Sequence, residues 1–384
     1  MKVGILTLPL HTNYGGILQA YALQTVLERM GHEVVVLQNG YDGIIRFPFY
    51  KMPFIWGKRI LLDCFKGRHL PVFLERRRKR ELPIVTQHTK RFIETYIHTC
   101  YVNRLDEIPA LGLDTIVVGS DQIWRREYFR RIWKAEITDA YLGFMAGKEI
   151  IRVAYAVSFG KKSWDYTQEE TAACCALACS FNAISVREDS AVDLCQRYLG
   201  VNAEHVLDPT LLLSRQDYID LIQKANVSPN AGKLFAYILD KTAGKTAFVN
   251  RFAAETGAKP YYIDCLSSDY SKPIEKRIVP PVESWLRGFF DAEMVVTDSF
   301  HGCVFSIIFG KPFIAIGNVN RGLSRFESLL KMFGAENRLI TDLDNCDLSE
   351  LCSDNSEERQ TQLLDLKQKS LDFLTQALRE NPEL

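Results

Sequence analysis

The chain lacks any uninterrupted apolar run long enough to span a bilayer, which argues against a transmembrane helix. It also lacks a long apolar h-region and a small-residue cleavage site at its start, because Met1-Lys2 leads straight into the strand-like Val3-Gly4-Ile5-Leu6-Thr7-Leu8. Net charge is missing too. The 47 Lys+Arg balance 47 Asp+Glu, so no global field recruits nucleic acid or an acidic partner. The ten cysteines show no paired CxxC spacing and no Cys/His cluster, so neither a metal site nor a disulfide framework is expected. Both common phosphate-cradling signatures, the dinucleotide GxGxxG and the P-loop, are absent. What remains is the composition of a reduced, cytoplasmic globular protein of 384 residues, 47% hydrophobic and 24% charged. That length accommodates two domains.

Strand-like and helix-like patterns alternate from the first residue, which points to α/β layers on mainly parallel sheets. Residues 2–8 read as the first strand, 13–16 as its loop, 17–30 as a helix stopped by Gly31, and 32–37 as the second strand. From about residue 40 to 110 the alternation breaks into a basic, aromatic stretch, read as a helical insertion. Between Tyr41 and Arg91 it carries 13 Lys/Arg against 4 Asp/Glu. Strands return at 114–119, 151–157 and 183–186, then at 234–239, 259–263, 294–297 and 311–316. Leu207-Asp208-Pro209-Thr210 reads as a domain junction, because the proline and the residue before it resist helix. The expected division is 1–206, 207–355 and a C-terminal helix in 356–384. That helix would pack back on the first domain through Leu364, Leu371, Leu374 and Leu378.

Five loops fall at the carboxyl ends of expected strands, where open α/β sheets bind ligands. Asn13-Tyr14-Gly15-Gly16 would let backbone approach a ligand at a helix N-terminus, or be a plain tight turn. Ser120-Asp121 follows a buried strand, and Ser158-Phe159-Gly160 follows another. Ser185-Val186-Arg187-Glu188-Asp189-Ser190 offers a guanidinium for a carboxylate or phosphate, unless Arg187 merely pairs with Glu188 or Asp189. Thr297-Asp298-Ser299-Phe300-His301-Gly302 brings hydroxyls, a titratable ring and helix N–H groups to one point, which suits a small anion. His301 there could give or take a proton beside Asp298, or be a satisfied structural histidine. Arg321 and Arg325 follow the next strand and can clamp an anion or sit as surface charges.

In their order and spacing these segments resemble the polysaccharide pyruvyl transferase family. The matching pieces are Asn13 to Gly16, Val118 to Trp124, Ser158 to Gly160, Ser185 to Ser190, Leu207 to Thr210 and Thr297 to Gly302. The resemblance implies two Rossmann-like domains facing a cleft, similar to the GT-B glycosyltransferase fold. It implies transfer of a pyruvyl group from phosphoenolpyruvate to two hydroxyls of a sugar, giving a cyclic ketal, with no metal or organic cofactor. His301 matches the family's essential histidine, and Arg187 an arginine of the donor site. Many members carry an arginine two residues before that histidine; here Ser299 stands in its place. Arg321 or Arg325 would then supply the charge, or this branch uses another donor.

On this reading arginines hold the donor's anionic groups and His301 protonates its methylene carbon. Asp298 or Asp121 orients the ring or deprotonates a hydroxyl, and Asn13, Tyr14, Gly15, Gly16, Ser120 and Ser299 line the substrate. Two rivals share the cleft: a glycosyltransferase using a nucleotide sugar, and a non-catalytic saccharide-binding or assembly protein that lost the chemistry. Phe47, Phe49, Tyr50, Phe54, Trp56 and Phe65, interleaved with Lys and Arg, read as a surface for an anionic membrane at the inner face. A lipid-linked acceptor would make that contact useful. Packing on the first domain or stacking on a sugar accounts for the same aromatics.

Overall fold

Runs of buried apolar residues build two parallel sheets in the computed structural model, which describes residues 1–41, 49–66, 72–264, 266–317, 323–346 and 356–379. Side chains at 49, 63–66 and 356 are outside the description, and so are Phe47 and Arg321 entirely. The first sheet contains β1 (Lys2–Leu6), β2 (Glu33–Gln38), β3 (Thr99–Tyr101), β4 (Thr115–Gly119), β5 (Ile151–Val157), β6 (Ala183–Val186) and β7 (Glu204–His205). Their order is β3-β2-β1-β4-β5-β6-β7, with every neighbouring pair parallel. The second sheet contains β8 (Leu234–Tyr237), β9 (Pro260–Tyr261), β10 (Met294–Thr297), β11 (Phe313–Ile316) and β12 (Leu339–Ile340), in the order β12-β11-β10-β8-β9. Both are Rossmann-like. All of β4 and β11 is buried, as strands covered by helices on both faces should be.

Strand order reverses between β1 and β4 in the first sheet and between β8 and β10 in the second. Crossovers leave such points in opposite directions and open a crevice at the carboxyl ends of the strands. The two crevices meet. One apolar core holds Ile17 and Leu18 of the Tyr14–Arg29 helix together with Leu211, Phe300, Val304 and Phe305. The C-terminal helix, Ser356–Ala377, closes the back of this contact. Its Ser370 Oγ accepts from Leu207 N at 3.1 Å, and its Phe373 ring lies 6.2 Å from Tyr155 on β5. The buried stripe runs through Leu363, Phe373, Leu374, Ala377 and Leu378, whereas Leu364 points to solvent. Of the expected face, Leu374 and Leu378 are buried and Leu371 packs against the core, and Leu364 alone lies off it.

The insertion is helical over Met52–Lys66, Leu74–Val85 and Gln87–Tyr96, and then supplies β3, an edge strand the basic composition concealed. It also reaches across to the second sheet's side. Glu81 accepts from Arg77 at 2.8 Å and Arg277 at 2.5 Å, Arg91 meets buried Glu283 at 2.7 Å, and Val279 N donates to Val85 O at 2.8 Å. Among the described residues no helix is long and apolar enough to cross a membrane.

Candidate active site

Gly15 determines how closely the two halves approach. The pair Gly15-Gly16, read from sequence as loop, lies in the first turn of the Tyr14–Arg29 helix. A Cβ on Gly15 would sit 2.0 Å from His301 Nδ1, so the ring rests against bare backbone. Tyr14 beside it stacks on Trp285 at 5.4 Å and donates its hydroxyl to Pro280 O at 2.8 Å. The helix end is thereby pinned to the opposite half of the molecule. Asn13 is its exposed N-cap and makes no side-chain capping bond.

His301 comes from the first turn of the Phe300–Ile308 helix, which leaves the carboxyl end of β10. Ser299 is the N-cap, and its Oγ accepts from Gly302 N at 3.3 Å. Gly302 is needed there, because a Cβ would meet Thr297 Oγ1 at 2.2 Å. Ser299 thus serves the helix start that aims His301.

The carboxylate facing the ring is Asp208, with Oδ2 at 3.6 Å from His301 Nε2. That same oxygen accepts from Arg187 Nη1 at 2.8 Å. Asp208 Oδ1 accepts from Thr210 N and Thr210 Oγ1 at 3.0 and 2.7 Å, capping the Pro209–Leu212 turn. Burial opposes its ionisation, but His301 and Arg187 outweigh that and hold the carboxyl well below the usual carboxylate range.

The expected pairing of Asp298 with His301 is not what the fold builds. Asp298 is fully buried and accepts from Leu239 N at 2.6 Å, Asp240 N at 3.0 Å and Lys245 Nζ at 2.6 Å. It ties the end of β10 to the loop after β8.

Arg187, following β6, is buried between charges of both signs. Beyond Asp208 it lies 4.0 Å from Asp121, and its guanidinium is 4.8 Å from the Phe300 ring. Burial disfavours its charge, yet Asp208, Glu188 and Asp121 together raise its pKa. Arg325, from the Leu323–Met332 helix, lies 5.8 Å from the same ring; burial and Arg187 bring it down to about 10. Ser158 donates to buried Glu188, whose carboxyl burial pushes up against the pull of Arg187 and Arg325. Asp121 takes a left-handed φ of 52° and accepts from its neighbour Gln122 N at 2.8 Å. Ser120 N donates to Gln19 Oε1 at 3.0 Å.

Several polar atoms here are buried without a hydrogen-bond partner among the described residues: His301 Nε2, Arg187 Nε and Nη2, Ser120 Oγ and Glu188 Oε2. Each such group costs about 1–3 kcal/mol if left dry, a cost that a water, an ion or a ligand group at this point would remove. The structure therefore brings together His301, Asp121, Arg187, Arg325, Ser120 and Gly15, and separates Asp298 from them. Sequence reading missed Asp208, Glu188 and Phe300 as participants. The Asp-Pro-Thr cap signature was visible at Asp208, but nothing in it names a distant histidine as partner. Among the described residues no group of three or more His, Cys, Asp or Glu is placed to hold a metal ion.

Residues 13–320 match the family described as Polysaccharide pyruvyl transferase. The chain belongs to the polysaccharide pyruvyl transferase family. The match takes in the Asn13 to Gly16 turn, Arg187, Asp208 and His301, and ends before Arg325. This family member has solved structural neighbours of low identity. A glycosyltransferase from Rickettsia africae has a TM-score of 0.49 at 8% identity, covering 99% of each chain. UDP-GlcNAc 2-epimerase from Neisseria meningitidis scores 0.46 at 10% identity, covering 100% of this chain and 95% of its own. The epimerase of Methanocaldococcus jannaschii scores 0.47 at 12%, covering 95% and 92%. No curated protein matches the chain.

Proposed function

We propose that this pyruvyl transferase family member takes its pyruvyl group from phosphoenolpyruvate and forms a cyclic ketal on two hydroxyls of a saccharide. The observation that supports this is the single Asp208 oxygen that faces both Arg187 and His301, while Arg187 keeps its Nε and Nη2 buried and without a hydrogen-bond partner among the described residues. A cation fixed beside a protonatable ring suits a donor that is both anionic and activated by protonation.

In this reading Arg187 and Arg325, both against Phe300, hold the carboxylate and phosphate of the donor. Arg325 thereby covers for the arginine that Ser299 replaces. The His301 imidazolium gives its proton to the methylene carbon, and the double-bond electrons move to form that C–H bond. The carbon bearing the phosphate becomes oxocarbenium-like, and one sugar hydroxyl adds to it, losing its proton to a base, a role this reading gives to Asp121. The second hydroxyl then attacks the same carbon and phosphate leaves with the carbon–oxygen bonding pair. Of the two hydroxyl protons, one replaces that spent by His301 and the other leaves with phosphate. Asp208 positions both cations. Acid–base help of this kind contributes about 10²–10⁴-fold, and the remainder comes from holding two anionic groups in place.

Thermal-shift measurements with phosphoenolpyruvate against a panel of nucleotide sugars test the donor. Stabilisation by phosphoenolpyruvate alone supports the reading; stabilisation by nucleotide sugars alone replaces it with glycosyl transfer. His301→Ala should abolish ketal formation while leaving the protein folded. Near-native turnover in that variant would remove the histidine from the mechanism.

A further inference from the structure

The helical insertion turns outward side chains that helices ordinarily bury. On the Met52–Lys66 helix, Phe54 is 79% exposed and Leu61 59% exposed; two turns apart, they share a face with Lys58 between them. Tyr50, 76% exposed just before the helix, adds to the exposed apolar surface. The inward face is different. Trp56 lies 5.0 Å from the Phe73 ring, and Arg59 pairs with Glu75 at 2.5 Å, which binds this helix to Leu74–Val85. That second helix adds exposed Ile84, with Phe73 at its start and exposed Arg76, Lys79 and Arg80 among them. Among the described side chains of the two helices the acids are Glu75 and Glu81, and both are engaged by arginines.

We propose that this face of the insertion docks on an anionic phospholipid bilayer. Charge complementarity selects the occupant. A second copy would bring Lys58, Arg76 and Arg80 against the same cations. A bilayer takes both components: Phe54 and Leu61 enter at the acyl boundary while the ammonium and guanidinium groups stay with the headgroup phosphates. The second of the two helices, Leu74–Val85, also faces the other half of the molecule through Glu81 and Arg277. A cavity of about 160 Å³ lies between it and the second sheet's side, lined by His11, Arg78, Glu81, Ser267, Tyr270 and Arg277. Docking would bring the protein close to sugars carried on lipid. This consequence rests on the pyruvyl-transfer reading; the docking itself does not.

Co-sedimentation of the full chain with phosphatidylglycerol-containing vesicles, against phosphatidylcholine alone, tests the proposal. Binding should require the anionic lipid and disappear at high salt. Phe54→Ser with Leu61→Ser should weaken it by about tenfold or more. Lys58→Glu with Arg80→Glu should do the same, and keeps the test open if the serine pair fails to fold. Each folded variant should keep the wild-type melting temperature and its turnover on a soluble acceptor. Absence of binding to anionic vesicles at low salt overturns the proposal. So does equal binding to neutral vesicles, undiminished binding by the folded variants, or a solution dimer that Phe54→Ser with Leu61→Ser abolishes.

Discussion

At Gly15 one hydrogen atom separates a working site from a blocked one. An added methyl group would overlap the His301 ring, and neither partner has room to yield, since the helix is pinned through Tyr14 and the ring is buried. Gly15→Ala should therefore cost about 1–3 kcal/mol of stability. Displacing the ring should also lower kcat/KM by about 100-fold. Urea denaturation and steady-state kinetics read the two effects separately; an alanine variant with native kinetics would show that the contact is not held in solution. Asp208→Asn isolates charge from shape. The amide keeps an acceptor for Thr210 but removes the anion shared by Arg187 and His301. With that anion gone the two cations lose their common anchor, so kcat/KM should fall by about tenfold or more in a protein that stays folded. Near-native kinetics would remove Asp208 from the positioning of Arg187 and His301.

Among the elements, the strands were legible because burial on both faces demands continuous apolar runs, and β4, β10 and β11 carry them. Their carboxyl ends followed from the same pattern, so Ser120 and Arg187 fall just after β4 and β6, and His301 lies in the helical turn that follows β10. What the pattern does not encode is direction. Asp298 and His301 are three residues apart across a strand–helix turn, and the turn sends one toward Lys245 and the other toward Asp208. The edge strand β3 was hidden because Thr99-Cys100-Tyr101 is short and follows a basic helical stretch. The Lys245–Asp298 pair now defines how β10 ends. Its carboxylate is fully buried and its ammonium nearly so, so Lys245→Met leaves Asp298 with two backbone N–H groups and no cation. Breaking such a pair on one side costs about 3–5 kcal/mol. The loss should appear as a lower urea midpoint, and Asp298→Asn in the same chain should recover part of it. Equal midpoints for Lys245→Met and wild type would show that the turn stands without the ion pair.

For the whole molecule, the continuous core between the sheets implies one cooperative unfolding transition, and its pH dependence follows from groups of opposite sign. Burial lowers the pKa of His11 and His205, so their contribution to stability is present above the ordinary histidine range and is lost as pH falls. Asp208 is depressed as described, and Arg29 and Ser214, against the effect of burial, bring Asp217 down to about 2. Both aspartates contribute above their unfolded values, near 4, and lose that contribution as pH drops through the folded ones. Glu188 runs the other way. Burial raises its pKa, so its contribution is complete below the unfolded carboxyl range and is lost as pH rises through the folded value. Glu188→Gln keeps an acceptor for Ser158 while removing a charge the site resists. The variant should melt higher than wild type at pH 7, and the gap should shrink to nothing below about pH 4, where both side chains are neutral. A gap that persists unchanged in acid would assign the effect to packing rather than ionisation. Calorimetry across that range reads the gap and the single transition together, and two resolved transitions would separate the sheets that His301 and Gly15 join.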